Sequence, residues 1–106
     1  MDFDPDYPFK NKKFFGEVIG ELRDFKFKLY GKREANLTEE PSETEFDINL
    51  GPMHFTEQDF LGLSKIFKKI NKKWKTELTY CVFTSDKTGR EILLNVRSPK
   101  APKGLD

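Results

Sequence analysis

One stretch, Thr56 to Trp74 (TEQDFLGLSKIFKKINKKW), constrains this chain more than any other. Phe60, Leu63, Phe67, Ile70 and Trp74 follow one another at steps of three, four, three and four, which aligns them along one side of a helix of 3.6 residues per turn. Leu61 and Ile66 widen the stripe. Thr56 stands where an N-cap hydroxyl accepts from the amide three residues on. Glu57 and Asp59 fall in the first turn and Lys68, Lys69, Lys72, Lys73 and Lys75 toward the end, so charge opposes the helix dipole at both termini. Gly62 runs against the pattern, costing about 1 kcal/mol relative to alanine in a helix interior. An isolated amphipathic helix needs tertiary packing to persist, so the rest of the chain must supply a second layer.

Strand signals supply it. Phe25, Phe27 and Leu29 alternate with Lys26, Lys28 and Tyr30 until Gly31, the pattern of a half-buried strand. Residues 32–43 are polar and read as a loop. From Thr44 to Leu50, Phe46, Ile48 and Leu50 face inward between Glu45, Asp47 and Asn49, and Gly51-Pro52 breaks the strand. Beyond the helix, Leu78, Tyr80 and Val82 alternate with Thr79, Cys81 and Phe83, and Ile92, Leu94 and Val96 with Leu93, Asn95 and Arg97. Residues 85–90 (SDKTGR) are turn chemistry, so these two runs form a hairpin.

Between Asn11 and Arg23, Phe14, Phe15, Val18, Ile19 and Leu22 have helical spacing, weakened by Gly16 and Gly20, with a bent strand as the competing reading. The order is then α-β-β-α-β-β. The economical fold is an α+β two-layer domain, a four-stranded antiparallel sheet with two helices on one face. Residues 1–10 read as an acidic-aromatic arm with Phe3, Tyr7 and Phe9 as potential anchors, 11–98 as one domain and 99–106 as a short basic tail. Asp2, Asp4 and Asp6 have the opening spacing of a calcium loop, but Tyr7 stands where glycine is required and Lys13 where a bidentate glutamate belongs.

The chain has 106 residues, 36% hydrophobic and 35% charged, a polar balance offset by eleven phenylalanines that each bury a large area. Cys81 has no partner for an internal disulfide, which suits a reducing cytosol. No apolar run approaches membrane-spanning length and no signal sequence opens the chain, so a cytoplasmic protein without membrane contact is expected.

The inventory for catalysis is thin. His54 is the sole histidine and Cys81 the sole cysteine, which leaves no Cys/His metal cluster and only an unsupported dyad between them. No phosphate-binding loop, dinucleotide fingerprint or nucleophile elbow occurs. The expectation is a non-enzyme without metal or cofactor.

Charge is segregated although the net value is only +1. Residues 34–47 carry Glu34, Glu39, Glu40, Glu43, Glu45 and Asp47 without a lysine or arginine, and residues 65–75 carry six lysines without an acid. If the strands at 24–30 and 44–50 pair, Lys26 and Lys28 meet Glu45 and Asp47 and neutralise the open face. Unneutralised, Lys26, Lys28 and Tyr30 would form a stacking platform for single-stranded bases.

These features point to an intracellular protein-interaction module, of the kind that acts as an inhibitor or accessory protein of a phage or mobile element. Its binding surface is expected at Phe83 and Leu93, stranded on the outer hairpin face, and at Glu39, Glu40 and Glu43. The alternative is nucleic-acid binding, single-stranded by preference, through Lys65, Lys68, Lys69, Lys72 and Lys73, although a pI near 7.8 is low for a dedicated binder.

Overall fold

Helix α1 runs from Lys12 to Tyr30, further than the sequence reading allows. Asn11 caps it, its side chain accepting from the Phe14 amide at 2.9 Å. Gly31 closes it in the left-handed region at φ 73°, its amide donating to the Phe27 carbonyl at 2.7 Å. This is a computed structural model, and it describes residues 7–31, 36–37, 42–51, 55–84 and 91–99.

The expected strand at 24–30 is therefore helix. The steps from Val18 to Leu22, Phe25 and Leu29 are four, three and four, so the apolar stripe continues without interruption. No glycine, proline or asparagine from Arg23 to Tyr30 stops the helix. The alternation that suggested a strand is accommodated by leaving Phe27 on the outward side, 51% exposed.

The sheet has three full antiparallel strands: β2 (Glu45–Gly51), β3 (Thr79–Thr84) and β4 (Ile92–Arg97). A two-residue segment, β1 (Asn36–Leu37), pairs with Asn49 and Ile48 on the outer side of β2. The order across the sheet is β1-β2-β4-β3. A sheet with 24–30 as its first full strand is thus corrected. The cross-strand pairing of Lys26 and Lys28 with Glu45 and Asp47 goes with it, because Glu45 lies opposite Arg97 and Asp47 opposite Asn95.

Helix α2 (Glu57–Trp74) follows its sequence signals. Thr56 and Asp59 form a capping box, the Asp59 amide donating to the Thr56 hydroxyl at 3.3 Å and the Thr56 amide to Asp59 Oδ2 at 2.9 Å. Lys75 ends it in the left-handed region at φ 57°. Asn71 then stitches helix to strand: its Oδ1 accepts from the Leu78 amide at 2.8 Å and the Thr76 hydroxyl at 2.7 Å, and its Nδ2 donates to the Leu78 carbonyl at 3.1 Å.

Phe46, Ile48, Leu50, Ile92, Leu94 and Val96 bury the inner face of the sheet against Phe14, Val18 and Leu22 of α1 and Leu63, Phe67 and Ile70 of α2. Both helices therefore share one face. Pro8–Lys10 forms a single 3-10 turn that drops Phe9 into this core, 5.1 Å from the Phe46 ring, so Phe9 is a packing residue. Phe3, the other apolar anchor expected of the arm, lies outside the described residues.

The helices are antiparallel. Glu17 meets Lys73 and Glu21 meets Lys69, and further along a Cβ placed on Gly62 would lie 2.9 Å from the Phe25 ring. Gly62 thus leaves the space that the Phe25 ring occupies, which explains the glycine inside a well-signalled helix.

Candidate protein-binding surface

The helices cover one face of the sheet, and among the described residues no element lies over the other. Strand register fixes what stands there, because alternate residues share a face. Three rows run across β2, β4 and β3: Glu45, Arg97 and Thr79; then Asp47, Asn95 and Cys81; then Asn49, Leu93 and Phe83. The first two rows are polar, and their charged and amide side chains are linked to one another. Arg97 Nε lies 3.8 Å from Glu45 and donates to Asn95 Oδ1 at 2.9 Å, and Asn95 Nδ2 donates to Asp47 at 2.6 Å.

The third row is apolar at its outer end. Phe83 and Leu93 are direct cross-strand neighbours, and Phe83 is 41% exposed while Leu93 is half-buried beside it. A shallow depression along the margin of β3 is lined by Thr79, Cys81, Phe83, Asn95 and Arg97. The sequence pattern located this pair because Phe83 and Leu93 are the apolar residues on the wrong parity of their strands.

Of the expected acidic residues, Glu43 stands at the other end of the sheet from this pair. Glu43 is exposed, 4.0 Å from Lys10, at the entry to β2. Glu39 and Glu40 lie outside the described residues, as does His54 of the notional dyad. Cys81 is exposed on the open face, mid-strand.

The lysine run divides by its contacts. Lys69 donates to Glu21 at 2.6 Å and Lys73 to Glu17 at 2.9 Å, so α1 neutralises two of the expected five. Glu17 also accepts from Trp74 Nε1 at 3.0 Å. The Lys73 and Trp74 hydrogen bonds hold the Glu17 carboxyl below its ordinary value, and the Glu21 hydrogen bond raises Lys69 above its own. Lys65, Lys68 and Lys72 point outward, and among the described residues none of the three has an ion pair. The acids on α1 that accept this charge stand in the stretch already read as helical; what the sequence did not give is that α1 packs beside α2 so that they meet these lysines.

Between the helices runs an open groove of about 500 Å³ with Phe25, Leu29, Gly62 and Ile66 in its floor and Lys28, Asp24 and Lys65 on its rim. The stacking platform expected at Lys26, Lys28 and Tyr30 is not on the open sheet face, since all three positions belong to α1. Among the described residues no three His, Cys, Asp or Glu side chains converge as a metal site would require, and no helix is long and apolar enough to cross a membrane. No family model, no curated protein and no solved structure matches this chain.

Proposed function

We propose that this chain is a non-catalytic protein-binding module, an inhibitor or accessory factor, that engages its partner with the open face of its sheet. The observation that carries the reading is the pairing of Phe83 with Leu93 on the face the helices do not cover, next to polar side chains linked to one another. A central apolar anchor with a polar surround is the anatomy of a binding surface: the aromatic supplies most of the energy, and the surround excludes water and fixes orientation. Arg97, Glu45 and Asp47 would orient the partner more than they would add affinity.

The test is recovery of a complex from nuclease-treated lysate of the source cells with the wild-type chain as bait, compared with Phe83→Lys. Phe83 is at the sheet surface, so the variant keeps its circular dichroism spectrum. Loss of a stoichiometric partner by Phe83→Lys supports the reading. Equal recovery by both chains, or no partner with either, defeats it.

The lysine face gives the second reading one observation in its favour: Lys65, Lys68 and Lys72 form an outward row on α2. Nucleic-acid binding through three lysines would show a log–log salt slope of about −2 for single strands. Fluorescence anisotropy with a labelled oligonucleotide measures that slope, and flat titrations at low salt eliminate the reading.

A further inference from the structure

Strand β3 stands at the end of the sheet order, paired with β4 on one side only. Its register with β4 is continuous over six residue pairs, from Thr79 opposite Arg97 to Thr84 opposite Ile92, without the irregularity that interrupts β2 near Gly51. Among the described residues no turn, loop or cap donates to or accepts from its outer margin. Half its backbone N–H and C=O groups therefore point away from the sheet toward water.

Proteins normally blunt such an edge with a lysine, a proline, a bulge or a short strand. The sequence of β3, TYCVFT, has none of these: no charge, no proline and high β-propensity throughout. The opposite margin is blunted, because β1 is only two residues long. The strand is also rigidly held for a margin. The Tyr80 hydroxyl lies 3.0 Å from Ser64 Oγ and 3.3 Å from the Phe60 carbonyl, and its ring stacks on Phe67 at 4.9 Å.

We infer that β3 pairs with β3 of a second copy of this chain, antiparallel about a two-fold axis normal to the sheet. The two sheets then join into one that is continuous through both copies. Three observations select a second copy as the occupant. An antiparallel edge is complementary to itself, so a two-fold satisfies both copies' outward backbone groups at once. The uncharged strand brings no like charges together at the axis. Helix α2 lies over β3 and runs antiparallel to it, with Asn71 near Leu78 and Ser64 near Tyr80, so the same axis reverses α2 as well. The first turn of α2, with Glu57 and Asp59, then faces the lysine-bearing end of the second copy's α2, opposite charge toward opposite charge.

The parity of the faces restricts the register. Residues of equal parity must oppose one another, or the helices would lie on opposite sides of the joined sheet. The centred solutions put Cys81 opposite Cys81 of the second copy, or opposite Phe83 of the second copy. This inference does not rest on the proposed partner surface, although joining the edges would set two Phe83-Leu93 pairs on one extended face.

The test is sedimentation of the purified chain, without any partner, from about 1 µM to 1 mM, a range suited to a small transient interface. Measurements run in reductant with the wild type, Cys81→Ser and Cys81→Lys. The wild type and Cys81→Ser are expected to pass from monomer to dimer, with amide exchange at 79–84 slowing as the dimer forms. Cys81→Lys places a charge from each copy at the axis, and its dissociation constant should rise at least tenfold with the circular dichroism spectrum unchanged. A wild type that stays monomeric throughout overturns the inference. So does a dimer whose slowed amides lie outside β3, or one that Cys81→Lys leaves intact. Neither result bears on capture of a different protein by Phe83, which the bait experiment reads separately.

Discussion

Three glycines sit inside helices here, and the structure assigns them opposite responses to the same substitution. Gly16 and Gly20 of α1 have nothing within 4 Å of a built Cβ, so Gly16→Ala and Gly20→Ala should each stabilise by up to about 1 kcal/mol, the propensity difference. Gly62→Ala makes the same local gain but sets its methyl 2.9 Å from Phe25 Cε1. Phe25 also neighbours Phe55, at 6.2 Å between ring centroids, so to make room either the ring shifts from its place or the helices separate. Overpacking of this kind costs about 1–3 kcal/mol, which leaves Gly62→Ala destabilising by about 1 kcal/mol.

Urea denaturation followed by Trp74 fluorescence measures all three variants on one scale, since the indole is half-buried between the helices and bonded to Glu17. The double variant Phe25→Leu/Gly62→Ala isolates the cause. With the ring gone, the alanine should become stabilising, a coupling of about 1–2 kcal/mol. If Gly62→Ala raises stability as much as Gly16→Ala does, the helices are not in contact at that point and the packing argument fails.

Two other expectations concern the ends of the same helix pair. Asn71→Ala leaves the Leu78 amide without its acceptor and should destabilise by about 2–3 kcal/mol, and Asn71→Asp, which keeps the acceptor oxygen, should lose less; chemical denaturation checks both. Glu17 titrates below its ordinary 4.5 in the folded state, so its ion pair and indole contact stabilise above that pH and are lost as pH falls through the lowered value. The stability difference between wild type and Glu17→Gln should therefore shrink from about pH 5 downward, measured by thermal unfolding across that range, and a pH-independent difference would show that the carboxylate charge contributes nothing.

Legibility in the sequence followed how many independent signals agreed on an element. Helix α2 had stripe, cap and charge all in accord, and the Thr56 cap and buried Leu63, Phe67 and Ile70 stand where those signals put them, while Phe60 and Leu61 of the same stripe are exposed. Strands β2, β3 and β4 were marked by alternation between turn residues. Residues 24–30 had alternation alone, and in seven residues a period of 2 and a period of 3.6 share several apolar positions. The stripe from Val18 through Leu22 and Phe25 to Leu29 favoured the helix only when read across the boundary at Arg23, and the packing of Phe25 toward Gly62 and Phe55 supports it from outside the local pattern. The packing of α1 beside α2 was equally nonlocal, so Glu17 and Glu21 went unrecognised as acceptors for Lys73 and Lys69, and the free positive charge of α2 was overstated. The edge position of β3 was out of reach for another reason, because the pairing of β2 with β4 is a long-range choice that no hairpin signal encodes.

The contact between Gly62 and Phe25 also decides how the two helices slide. Slipping α1 by one turn would carry Glu17 to Lys69 and Glu21 to Lys65, exchanging each rung of the ladder for another of equal sign and spacing. Coulomb attraction is therefore nearly indifferent to the slip. The phenylalanine is not, for the slipped position brings it against Gln58, where a side chain already stands. Alignment of the pair is thus specified in part by an absence, a vacant methyl position that one aromatic ring can occupy, and in part by the indole that reaches Glu17 at the other end, while the lysines contribute adhesion without an address.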